Sequence, residues 1–135
     1  MKIRSGFVSN SSSSSFCVHG AHIDSDEIMD LLNAIGVAFP EAEQISELVA
    51  ECKDEYEDGS IFKHDNLGNL LNQIFEKTQI TYILDWEYQS IWLGRSYETL
   101  KDDETGAQFK AVAESEIRKY LPFTTIHFIN EEIHH

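Results

Sequence analysis

The sequence predicts an α+β fold, with a small antiparallel or mixed sheet of three or four strands packed against about four helices. Three observations lead there. A chain of 135 residues with 41% hydrophobic residues fits one domain, 1–135, that can bury its own core. Apolar residues recur at helical spacing over four segments, while runs rich in β-branched and aromatic residues occupy four others. Three of the helical segments follow one another before a hairpin, so helices and strands are partly segregated rather than alternating.

Along the chain, Phe7 and Val8 form a short apolar pair, and the serine-rich stretch 9–15 reads as a loop leading from it to a longer strand. That strand is Phe16 to Ile23, with Phe16, Val18 and His22 alternating against Cys17, His19 and Ile23. A first helix begins at Asp24 or Ser25, either of which can cap free N–H groups, and carries Ile28, Leu31, Leu32 and Ile35 on one face. Gly36 is expected to end it, and Pro40 suits the first turn of the next helix. The second helix has Ile45, Leu48, Val49, Cys52 and Tyr56 on one stripe and Glu43, Glu47, Glu51, Asp54 and Asp58 on the other, with Gly59 as its C-terminal cap.

A third helix is expected from Asn66 to Lys77, with Leu67, Leu70, Leu71, Ile74 and Phe75 as its apolar face. The short link 85–89 between Ile80–Trp86 and Ser90–Ser96 predicts an antiparallel hairpin. Thr105 with Gln108 three residues on is a capping-box pattern that opens a helix to Leu121, and Pro122 stops it. Thr124 to Ile129 reads as a final strand, with 130–135 as a loose tail.

Charge is the dominant global feature. Ten basic residues face 24 acidic ones, a net charge of -14. The stretch from Asp24 to Asp58 holds 12 acids and one base, Lys53, and so carries -11. Nucleic-acid binding rests on basic side chains that neutralise phosphates, so direct DNA or RNA binding is not expected. Anionic membrane surfaces are disfavoured on the same ground, and no apolar run approaches the ~20 residues of a membrane span. A partner protein with a basic surface is favoured electrostatically, and the simpler alternative is a well-solvated acidic face. Lys2 and Arg4 precede no apolar stretch, so no secretory signal is expected. Cys17 and Cys52 fit no metal or redox spacing and read as free thiols, with Cys52 in the core, which predicts a reducing, cytoplasmic setting.

The opening segment Arg4-Ser5-Gly6-Phe7-Val8-Ser9-Asn10-Ser11-Ser12-Ser13-Ser14-Ser15-Phe16 resembles that of a group of small uncharacterised proteins, many of them encoded by tailed bacteriophages. Leu93-Gly94-Arg95-Ser96, with Lys101 to Thr105 and Phe109-Lys110, is similar to a pattern in the same group. The resemblance implies a phage or prophage product acting in a bacterial cytoplasm. It brings no site residues.

Candidate chemistry is sparse. Ser11, Ser12, Ser13, Ser14 and Ser15 are candidates for a ligand-binding or modification loop, since hydroxyls and backbone N–H groups can cradle an anion. The run lacks the glycine spacing and lysine of a phosphate loop, and a solvated loop is the simpler account. Six histidines include no helical His-x-x-x-His pair, so no metal or cofactor is expected. His19 and His127 would converge only if their strands pair. Asp102, Asp103 and Glu104 read as acids complementing the dipole of the last helix. Trp86, Tyr88 and Trp92 cluster at the hairpin as candidate interface anchors, with Trp92 facing away from Ile91 and Leu93.

The expected function is therefore an acidic, non-enzymatic accessory protein. It would bind a host or phage protein through Glu43, Glu47, Glu51 and Asp54, or through the aromatic hairpin, with mimicry of a nucleic-acid backbone as a sharper form. The alternatives are a small-ligand-binding protein or enzyme with a site at the serine run, and a minor virion component. A dimer is compatible with all three.

Overall fold

The structure, a computed structural model, describes residues 13–134, with side-chain surroundings for 16–130. Among the described residues, four α-helices and a four-stranded antiparallel sheet give the small α+β fold that the sequence predicts. In chain order they are β1 (Ser13–Ile23), α1 (Ser25–Ala38), α2 (Glu43–Glu57), α3 (Asn66–Phe75), β2 (Ile80–Asp85), β3 (Ser90–Ser96), α4 (Gly106–Arg118) and β4 (His127–His134). The sheet order is β2-β3-β1-β4, so β1 is interior and the hairpin β2–β3 joins one of its sides.

Two expectations at the chain ends are corrected. Ser13 to Ser15 lie in β1 rather than in a loop, and residues 130–134 lie in β4 rather than in a loose tail. The reason is mutual: β1 and β4 pair from Ser13↔His134 to Gly20↔His127, so each satisfies the other's backbone groups. Residues 9–12 and the Phe7–Val8 pair lie outside the described residues.

Helix boundaries follow from local chemistry. Glu27 reaches back to accept the Asp24 N–H at 3.1 Å, which fixes the start of α1. Helix α1 runs two residues past Gly36, contrary to expectation; the glycine is in the helical conformation, and a Cβ there would make only an ordinary contact with Val49 Cγ1 at 3.8 Å. Pro40 precedes α2 in a turn closed by Ala42 N–H to Phe39 O, and so is not in the first helical turn. Helix α2 ends as predicted: Gly59 takes φ +80, with Gly59 N–H bonded to Tyr56 O and Ser60 N–H to Glu55 O. Thr105 and Gln108 form the predicted capping box at α4, at 3.0 and 2.9 Å.

Strand alternation sorts the sheet into two faces. Ala21, Ile23, Tyr82, Ile91 and Leu93 join the main core with buried residues of all four helices. Helices α1, α3 and α4 contact the sheet, while α2 packs chiefly on α1 and α3 as an outer element. Phe16, Val18, Ile83 and Ile129 form a smaller cluster on the opposite face, with half-buried Trp92 against it. There Gly20 sits directly opposite Gly94, and a Cβ on Gly20 would lie 2.5 Å from the Gly94 Cα, so β1 and β3 approach more closely than any side chain there would allow.

Candidate functional site

Helix α2 presents the predicted acidic surface. Glu43, Glu47, Glu51 and Asp54 are all exposed, while Ile45, Val49 and Cys52 point into the core. Helical spacing separates these two sets, and the outer position of α2 leaves its polar face free of the sheet. Burial, reinforced by Glu55 and Glu51, pushes the Cys52 thiol up to about 12, so it stays neutral and inert.

The aromatic trio of the hairpin is divided. Trp86 and Tyr88 are 73% and 76% exposed in the turn, where Tyr88 N–H bonds to the Asp85 carboxylate. Trp92 is not with them: it lies half-buried on the sheet, stacked on His22 with ring centroids 3.9 Å apart. Register explains this, since His22 is directly opposite Trp92 and each faces away from the main core.

Of the serine run, Ser13, Ser14 and Ser15 belong to the β1–β4 ladder, so their backbone is committed to pairing and makes no open anion cradle. Ser11 and Ser12 lie outside the described residues. His19 and His127 do not converge although their strands pair. His19 is opposite Phe128, one register step from His127, and a single step reverses the face. His19 instead meets Glu114 of α4, with Nε2 2.8 Å from Oε2. Among the described residues no group of three His, Cys, Asp or Glu is placed to hold a metal ion.

One member of the acidic trio before α4 has a different use. Glu104 pairs with Arg95, whose side chain is fully buried: Nη1 donates to Oε2 at 2.7 Å and Nη2 to Oε1 at 2.8 Å. Arg95 Nε also donates to Thr99 Oγ1, and its guanidinium lies 4.4 Å over the Phe109 ring. These contacts tie the 97–104 connection to the sheet. The Arg95 hydrogen bonds, opposed by desolvation and aided by the Lys101 N–H, hold the Glu104 carboxyl below its ordinary value. The available signal was an arginine inside an apolar strand, which has to find a carboxylate when buried.

Sequence reading passed over one more feature. A cavity of about 430 Å³ opens between α1 and the segment after α4, lined by Glu27, Asp30, Tyr120 and Phe123 among others. Its walls come from α1 and from the segment after α4, far apart in sequence, so no local pattern announces it. Arg118 braces one wall, its Nη1 donating to Pro122 O at 2.9 Å and also reaching the carbonyls of Leu121 and Thr124.

No protein-family model, curated protein or solved structure matches this chain. Among the described residues, no helix is long and apolar enough to cross a membrane.

Proposed function

We propose that this chain is an acidic, non-enzymatic binding protein that docks a protein partner with a basic surface through the outward face of α2. One observation carries the reading: Glu43, Glu47, Glu51 and Asp54 are all exposed on the outer helix, within a stretch that carries -11. Such a face attracts a basic surface over a Debye length of roughly 8–10 Å at ordinary salt. It also repels nucleic acid and anionic lipid. The exposed Trp86 and Tyr88 supply a second contact of the kind that anchors protein interfaces. A phage or prophage product meeting a host or phage protein in the bacterial cytoplasm fits the resemblance of the opening segment.

A sharper form has the α2 carboxylates standing in for the phosphates of a nucleic-acid strand, since residues four apart on a helix rise by about 6 Å. In that form DNA competes with this chain for its partner.

The test is a tagged pull-down from nuclease-treated bacterial lysate, washed across a salt series, beside a variant carrying Glu43→Lys, Glu47→Lys, Glu51→Lys and Asp54→Lys. All four sites are exposed, so the fold should persist and circular dichroism checks it. The wild-type chain should release its partner at moderate salt, and the variant should not capture it. Equal capture by both chains overturns the α2 surface.

A further inference from the structure

The cavity between α1 and the segment after α4 combines features that neither element has alone. Glu27 and Asp30, three residues apart on α1, place two carboxylates on one wall. Glu27 Oε1 already accepts the Asp24 N–H, which turns that side chain along the helix and leaves its second oxygen uncommitted. On the other wall, Tyr120 is only 5% exposed and packs edge-on against Phe75. Burial and the nearby Glu116 raise its pKa, so it stays a neutral phenol able to accept as well as donate. Phe123 stands at the rim with its side chain 97% exposed. The Arg118 bonds to the carbonyls of residues 121, 122 and 124 hold that wall in place, so little ordering is left for a ligand to impose.

We propose that this cavity is a receptor for an arginine side chain of the basic partner, with Glu27 and Asp30 facing the guanidinium, the Tyr120 hydroxyl accepting one of its N–H groups and Phe123 covering its plane. The inference rests on the basic-partner reading above and adds a specific socket to it. A guanidinium is planar, permanently charged and has five N–H donors, so it can satisfy two carboxylates and a hydroxyl together while stacking on a ring. A lysine ammonium is a point charge that cannot make the planar stack. A metal ion is a poor fit, since no third His, Cys, Asp or Glu joins the two acids among the described residues. The volume of about 430 Å³ also exceeds what a single ion requires and falls in the range of side-chain and small-ligand sites.

The test uses the full chain and three blocked tripeptides, of arginine, lysine and citrulline, titrated by calorimetry at about 0.3 M salt, where long-range attraction is screened. The arginine peptide should bind, and the neutral citrulline peptide should not. Asp30→Asn and Phe123→Ala, both at exposed positions, should each weaken arginine binding about tenfold. Glu87→Gln, at an exposed position in the turn between β2 and β3 and outside the cavity, should keep it within about threefold. Unchanged binding in Asp30→Asn and Phe123→Ala, equal binding of the lysine peptide, or no binding of the arginine peptide would each overturn the socket. None of these results touches the α2 surface, which stands or falls on whether the fourfold variant still captures the partner.

Discussion

Arg95 and Glu104 form a two-pronged ion pair in which the guanidinium is wholly buried and the carboxylate is half-buried at the edge of the α4 entry. Desolvating a guanidinium is costly unless every donor finds an acceptor, and here Thr99 supplies two more through its hydroxyl and its carbonyl. The pair links the centre of the sheet to the start of α4 and shapes the connection between them.

Glu104→Gln keeps the shape of that side chain and removes its charge. Near pH 7 the variant should melt well below the wild type, because a buried cation is left without its counter-charge. The folded carboxyl lies below its unfolded value, so its stabilisation is complete above the ordinary glutamate pKa of about 4.3 and is lost as pH falls through the folded value. Melting curves from about pH 7 to 3 should therefore show the two proteins converging in acid. A gap that stays constant over that range would mean that the charge is not what stabilises.

Gly20→Ala should destabilise by on the order of 1–3 kcal/mol, because the new Cβ meets the backbone of Leu93 and Gly94, which cannot rotate away. Gly106→Ala is the matched control. It lies at the start of α4 with nothing within 4 Å, and should be neutral or stabilising by roughly 0.5–1 kcal/mol. Urea midpoints of the two variants check both. Equal midpoints would contradict the close approach of β1 and β3.

The two thiols should differ sharply. Cys17 is half-buried and Cys52 is fully buried with its thiol pushed up to about 12. Raising a thiol pKa removes the reactive thiolate, so at about pH 8 iodoacetamide should label Cys17 alone in the native protein and both cysteines in denaturant. Peptide mapping by mass spectrometry reads this directly. Labelling of native Cys52 at the rate of Cys17 would place it outside the core.

Much of the architecture was legible in the chain. Helix α2 is the clearest case, because its apolar stripe, its acidic stripe and Gly59 are all local signals set by backbone geometry. The capping box at Thr105 and the hairpin of β2 and β3 were legible for the same reason. The sheet contacts of the chain's two ends were not. Ser13 to Ser15 and residues 130–134 have no strand pattern of their own, and they become strands because each offers the other its backbone partners.

The acidic character of the surface, the fold class and the split of α2 into two faces were therefore determined by the sequence itself, through composition and period. Tertiary structure alone decided that Glu104 serves Arg95, that Trp92 leaves the hairpin aromatics for His22, and that Asp30 faces the segment of Tyr120 and Phe123 across a cavity. Each of these joins residues through packing or register, and the choice among 24 acids for one buried arginine is made by distance, which no local pattern encodes.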